Sequence, residues 1–241
     1  MSRAATIGED RMVSLTLHDG LAGETVYCVM TDHWGMTGIA TSSGVTFFGG
    51  EKTYNFRIVD KMGRNKSVYA LCETATNGTI YAAAESGLYQ LKIDSDIFEP
   101  LLPEIQEPRC LFTVGDTLYI GSQQGIHVYD GQRLKHIDVD VSHQGLDNVV
   151  RQYAQDEDGK IWFLGRYDLN TYDPRTDVIK RFPLWKGSQK PILTQFACID
   201  KNHFVIGTRS NGLYLFDLAT DTIEHVDGVS NIISTVQRSA D

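Results

Sequence analysis

Arg166 and Arg209 have the strongest claim to chemistry in this sequence. Each follows a short apolar run and a small residue. The two copies are Ile161-Trp162-Phe163-Leu164-Gly165-Arg166-Tyr167-Asp168-Leu169 and Phe204-Val205-Ile206-Gly207-Thr208-Arg209-Ser210-Asn211-Gly212-Leu213. Equivalent turns of adjacent repeats could aim two guanidiniums at one anion, which their planar forks suit. Two ordinary solvated turn residues are the plainer reading of the same pattern. The same turns add Tyr167 and Asn211, corresponding turns elsewhere offer Ser43, Glu85, Gln123 and Gln124, and the segments leading into later repeats add His143 and Trp185. Amides, hydroxyls and guanidiniums can hydrogen-bond sugar hydroxyls or carboxylates, while Tyr and Trp can stack on a sugar face. The chemistry expected of this set is the binding of a polar ligand. No nucleophile, base and orienting group fall into a catalytic pattern, and no nucleophile elbow, P-loop or dinucleotide fingerprint occurs. The seven histidines show no metal-ligand spacing. Asp156-Glu157-Asp158-Gly159 suggests a hairpin turn, since a calcium loop needs more oxygens and a distant Glu. The expectation is therefore no catalytic residue, no metal site and no cofactor.

These turns belong to a repeat. Three further copies are Ile39-Ala40-Thr41-Ser42-Ser43-Gly44-Val45, Tyr81-Ala82-Ala83-Ala84-Glu85-Ser86-Gly87-Leu88 and Leu118-Tyr119-Ile120-Gly121-Ser122-Gln123-Gln124-Gly125-Ile126. A period of roughly 40 residues, with strands and turns but no helical pattern, marks a β-propeller. The sequence predicts an all-β chain: a propeller of four-stranded antiparallel blades, with five complete repeats plus a partial sixth blade. As one domain over 1–241, the repeats fall near 21–60, 61–102, 103–141, 142–185 and 186–228. In each, strand A is followed by a polar hairpin, clearest at Asn77-Gly78, then by strands B, C and a more polar D. Strand A, innermost, is expected to be buried on both faces. Ala40, Ala83, Gly121, Gly165 and Gly207 are expected to share one position where neighbouring blades approach closely.

The partial blade comes from both ends. Met12–Leu17 resembles a spare strand D, and Asn231–Val236 a sixth strand A. An open array would expose apolar faces and strand edges. The expectation is that the natural protein continues past Asp241, or that another chain completes the blade by self-association.

The chain has 241 residues, 41% hydrophobic and 22% charged, and a formal net charge of −9. That composition fits a folded protein, and its acidity argues against a nucleic-acid partner. No stretch is apolar and long enough to span a membrane. The start lacks a secretory core, so the chain is either cytoplasmic or had its signal removed or never included. Cys28, Cys72, Cys110 and Cys198 fall in or beside strand A and are expected to be buried thiols.

The repeat resembles the two-component regulator propeller repeat, which reads roughly Gly-Leu-x-x-x-x-Val, Asp-x-x-Gly-x-hydrophobic-Trp, then hydrophobic-Gly-Thr-x-x-Gly-Leu. The matching segments are Gly20-Leu21 with Val26, Asp32 and Gly35; Gly145-Leu146 with Val149, Asp156, Gly159 and Trp162; and Gly207-Thr208 with Gly212-Leu213. The resemblance runs from about Leu15 to Val236, with the second and third copies degenerate. It implies a periplasmic sensor of a hybrid histidine kinase. Such sensors detect an oligosaccharide or other polar small molecule and signal through a following β-sandwich and membrane helix. A protein-interaction scaffold is the alternative, and a propeller lyase of the streptogramin-inactivating type the third reading.

Overall fold

The computed structural model describes residues 14–50, 52–92, 96–139, 148–156, 158–187 and 190–233. Among these residues twenty strands form five four-stranded antiparallel sheets, each a blade of four strands in sequence order. Blade 1 is β1 (Val26–Thr31), β2 (Thr37–Thr41), β3 (Gly44–Phe48) and β4 (Thr53–Phe56). Blade 2 is β5 (Val68–Glu73), β6 (Ile80–Ala84), β7 (Gly87–Lys92) and β8 (Ile97–Leu101). Blade 3 is β9 (Cys110–Val114), β10 (Thr117–Ser122), β11 (Gly125–Tyr129) and β12 (Leu134–Ile137). Blade 4 is β13 (Gln152–Gln155), β14 (Ile161–Leu164), β15 (Asp168–Asp173) and β16 (Val178–Pro183). Blade 5 is β17 (Leu193–Cys198), β18 (His203–Thr208), β19 (Leu213–Asp217) and β20 (Thr222–Val226).

Each apolar cluster is an interface between successive blades. Ala40, Val45 and Phe47 of blade 1 meet Leu71, Ala82 and Ala84 of blade 2. Tyr81 and Leu88 of blade 2 meet Leu118 and Ile120 of blade 3. Tyr119 and Ile126 meet Tyr153 and Phe163, and Trp162 and Leu164 meet Phe196, Phe204 and Phe216. Aromatic and β-branched residues suit such face-to-face packing, and each fully buried one contributes roughly 1.5–3 kcal/mol. The innermost strands β1, β5, β9, β13 and β17 pack in succession and line one channel of about 580 Å³.

Strand A is not buried on both faces as expected. The central strands B and C carry the burial, while Val26, Tyr27 and Val29 of β1 stand 45–60% exposed. The physical reason is the channel, which leaves one side of strand A facing open space instead of packed side chains. A second expectation fails at Gly165. Pairing sets Ala40 opposite Val45, Ala83 opposite Leu88, Gly121 opposite Ile126 and Gly207 opposite Leu213. In blade 4 it is Leu164 that pairs with Leu169, so Leu164 holds the small position and Gly165 lies one step into the turn. The crowding itself is real: a Cβ on Gly207 would come 2.5 Å from Ile233 Cγ2, and one on Gly121 2.8 Å from Val150 Cγ1.

The ends also differ in part. Residues 14–16 are not in a strand, and Leu17–Asp19 is a 3₁₀ turn capped by Thr16, whose backbone and hydroxyl both bond Asp19. Gly20 and Ala22 then cross the face of blade 1, bonding Asn55 Nδ2 and Thr46 Oγ1. Ile233 does what Val150 does in an earlier repeat. Its N–H bonds Thr208 O as that of Val150 bonds Ser122 O. The remainder of the expected sixth strand, beyond Ile233, lies outside the described residues, as do Met12 and Val13.

Candidate functional site at the channel mouth

The B–C turns close one end of the channel and are built alike. A buried hydroxyl at the end of strand B grips the turn. Thr41 Oγ1 donates to Gly44 O (2.9 Å), Ser122 Oγ to Gly125 O (3.4 Å) and Thr208 Oγ1 to Gly212 O (2.8 Å). The same hydroxyls accept the N–H of Ser43, Gln124 and Asn211. Glycine is required after the turn: Gly125 sits at φ +109°, and a Cβ there would lie 2.5 Å from Ile137 O. Blade 4 has Asp168 instead. Its buried carboxylate accepts from Arg181 Nε at 2.7 Å and also from Nη2, while Gly165 N bonds Asp168 O. An ion pair to strand D thus anchors this turn where the others rely on glycine and, in blades 1, 3 and 5, a hydroxyl.

A second ring lies inside the turns. In β1, β5 and β17 the pairing slips by one residue, at Tyr27, Tyr69 and Thr194. Such a bulge turns a side chain out of the ladder. Aligning the A–B pairs Cys28–Ala40, Ala70–Ala83, Cys110–Gly121, Gln152–Leu164 and Gln195–Gly207 puts Arg109 and Arg151 at the same position. Every blade therefore has one residue at this position: Tyr27, Tyr69, Arg109, Arg151 and Thr194, of which Tyr27, Tyr69, Arg109 and Arg151 line the channel. Tyr27 and Tyr69 meet edge to face at 5.3 Å, and Arg109 lies 4.2 Å over the Tyr69 ring. Arg109, Gln123, Val149, Arg151, Arg166 and Thr194 enclose a cavity of about 460 Å³.

The charges at the mouth are strongly positive. Arg151 is held below its ordinary pKa, first by the surrounding protein and then by the charges of Arg166, Arg209 and Arg109, with Tyr167 opposing. Arg166 lies 5.3 Å from the Tyr167 ring, and its Nε is buried with no partner among the described residues. Among the described residues Arg109 pairs with Glu107 at 3.6 Å, whereas no ion pair holds Arg151, Arg166 or Arg209.

The residues singled out from sequence divide accordingly. Arg166, Tyr167, Arg209 and Gln123 gather at the mouth, Gln123 donating to Glu107 at 2.8 Å. Asn211 is exposed on the same turn as Arg209, and its Oδ1 accepts from Ser210. Gln124 is exposed, its carbonyl 2.7 Å from His136 Nε2. Glu85 is paired with Lys66 at 3.5 Å, and half-buried Ser43 is held through its backbone. Trp185 is elsewhere: it packs edge to face on Tyr214 at 4.8 Å and lines a groove between the rims of blades 4 and 5. His143 lies outside the described residues. Tyr27, Tyr69, Arg109 and Arg151 were missed because they open strands rather than sit in turns. Their signal was a spacing of 16 to 18 residues ahead of the residue that opens strand C (Gly44, Gly87, Gly125 and Asp168), which bulges and hairpin lengths blur.

The Asp156 turn is a hairpin. Asp156 Oδ1 accepts from Asp158 N and Lys160 N, and Oδ2 from Trp162 Nε1 at 2.8 Å. Cys28, Cys72, Cys110 and Cys198 form no disulfide with one another; burial raises the pKa of the first three. Among the described residues no helix is long and apolar enough to cross a membrane.

No family model and no curated protein matches this chain. Solved structures do. The extracellular domain of a hybrid two component system from B. thetaiotaomicron is similar at a TM-score of 0.70 and 20% identity, over 88% of this chain and 29% of that one. A second such domain from the same organism gives a TM-score of 0.54 and 16% identity, over 92% of this chain and 38% of that one. The computationally designed Ika8 protein gives a TM-score of 0.63 and 14% identity, over 92% of this chain and 67% of that one. The likeness is one of fold, and this chain spans about a third of the length of the natural domains.

Proposed function

We propose that this chain is a non-enzymatic recognition propeller that binds a polar ligand, an oligosaccharide in the first instance, at the channel mouth. It would serve as part of the extracytoplasmic, periplasmic sensor of a two-component regulator. The observation that carries this reading is the cavity at the mouth, to which three successive blades contribute side chains: Arg109 and Gln123 from blade 3, Arg151 and Arg166 from blade 4 and Thr194 from blade 5. A cavity of about 460 Å³ is large enough for a small ligand. A ligand seated there touches several blades at once, so binding would tie together blades that otherwise contact only their neighbours. That gives a binding event a means of altering the whole ring, which a sensor needs. The likeness in fold to extracellular domains of two-component systems supports the setting.

A calorimetric screen of neutral and acidic oligosaccharides at fixed ionic strength tests it, with bound ligands mapped by amide chemical shifts. Saturable binding that perturbs the turns at 41–44, 84–87, 121–125, 165–168 and 208–212 is the expected result. Silence across the screen, or perturbation confined to the outer strands, would favour the scaffold reading.

A further inference from the structure

We infer that the ligand of this mouth carries an oxyanion, a carboxylate, sulfate or phosphate group seated among Arg109, Arg151, Arg166 and Arg209, with an apolar ring face turned toward Tyr27. The inference rests on the reading of the mouth as a ligand site and narrows it to one ligand chemistry. Four guanidiniums gather in a chain whose net charge is −9, so carboxylates were plentiful. Yet among the described residues Arg151, Arg166 and Arg209 have no carboxylate partner, and Arg109 shares Glu107 with Gln123. The one carboxylate inside the arginine-bearing turn of blade 4, Asp168, points to Arg181 on strand D instead.

Like charges held together without counterions favour whatever neutralises them. Arginine does this with directional forks that match the two oxygens of a carboxylate or sulfate. Arg166 Nε is a buried donor with no acceptor among the described residues. In the channel that Arg109 and Arg151 also line, Tyr27 is 47% exposed and meets Tyr69 edge to face, so an aromatic surface remains open. An acidic sugar ring has both parts of the matching pattern, and a free inorganic oxyanion has one.

Isothermal titration of the whole chain decides between these. The probes are a trigalacturonate, the neutral galactose trisaccharide and inorganic sulfate, each at one ionic strength set with sodium chloride. The trigalacturonate is expected to bind about tenfold or more tighter than its neutral counterpart, and sulfate to compete with it. Sulfate binding without the uronide would assign the site to a free oxyanion and still support the shared chemistry. Arg151→Gln and Arg166→Gln should each lose about tenfold in affinity for the anionic probe, and Arg151→Lys less, because it keeps the charge but not the fork. Arg151→Gln should melt no lower than the parent, since it removes a crowded like charge; that separates loss of binding from loss of fold. Equal affinity for neutral and acidic trisaccharides, unmoved by either substitution, would overturn the anion while leaving a ligand site in place. Failure of every probe would overturn both.

Discussion

The two halves of the channel mouth share a backbone and differ in chemistry. At one structural position blades 1 and 2 present Tyr27 and Tyr69, while blades 3 and 4 present Arg109 and Arg151. The outer turns follow suit, with Ser42 and Glu85 in the first two blades, Gln123 in the third, and Arg166 and Arg209 in the last two. Packing cannot explain the difference, because the same blades meet through equivalent apolar clusters. Where the repeat demands burial it constrains residue type. Where its strands face the channel that demand lapses, and side chains diverge. The divergence is therefore the better guide to recognition.

Acid offers the largest way to separate the halves. Two residues after the B–C glycine, blade 1 has Thr46, blade 2 Tyr89 and blade 3 His127. His127 is buried, lies 3.4 Å from the Ser122 hydroxyl that grips its turn, and has no partner for Nδ1. Burial first, then the charge of His136, pull its pKa from 6.5 to about 4, with Glu104 opposing. The unfolded chain thus takes up a proton near pH 6.5 that the native blade refuses until about pH 4. Stability from this site is complete above pH 6.5 and falls as pH drops toward 4, by up to about 3 kcal/mol. Urea denaturation at pH 7 and pH 4.5 should show the loss, and His127→Gln should flatten it. Hydrogen exchange at pH 4.5 should then quicken in the blade 3 turn before the blade 1 turn. Even quickening across all blades would remove this asymmetry.

The blade 4 turn provides the next test. Asp168→Ala removes the anchor that replaces glycine and leaves Arg181, 29% exposed at its side chain, without that carboxylate. A fully buried pair would cost about 3–5 kcal/mol to break; partial exposure of the arginine reduces this to about 2 kcal/mol. The arginine half should lose the position of Arg166 along with that stability, so affinity for the anionic probe should fall even where the protein remains folded. Unchanged affinity would mean that Arg166 is placed by Tyr167 and its backbone bonds instead.

Much of this architecture was legible. Gly44–Phe48, Gly87–Lys92 and Gly125–Tyr129 are the strands C that follow the polar turns of the repeat, and each begins at a glycine with positive φ. Arg166 and Arg209 were legible as a pair because a turn motif frames each. Arg109 and Arg151 were not: each opens a strand with no motif around it, and the expectation of a doubly buried strand A gave no reason to look. Tyr27 was hidden for the opposite reason, since a tyrosine in an apolar strand reads as core. Trp185 misled in turn. An indole beside a loop suggests a sugar platform, yet here it closes the gap between two blades against Tyr214. Met12–Leu17 was read as a strand D from its likeness to the end of a repeat, whereas over the described residues Thr16 and Asp19 spell a capping box that starts a 3₁₀ turn.

The smallest expected effect is also the sharpest. Tyr27→Ala removes a half-exposed ring whose described aromatic contact is Tyr69, so stability should change by only about 0.5–1 kcal/mol. Its effect on binding should be blind to ligand charge, weakening neutral and acidic trisaccharides by the same factor, about threefold. Arg151→Gln should affect the acidic one alone. If the halves act independently, the double variant loses the product of the two factors. A physical link does run between them, through Tyr27, Tyr69 and the Arg109 guanidinium stacked on it. Tyr69→Ala should therefore couple to Arg109→Gln, while Tyr27→Ala and Arg151→Gln remain additive. Coupling between the outer pair would mean that one ligand ring spans the whole mouth and that its two halves recognise it as a unit.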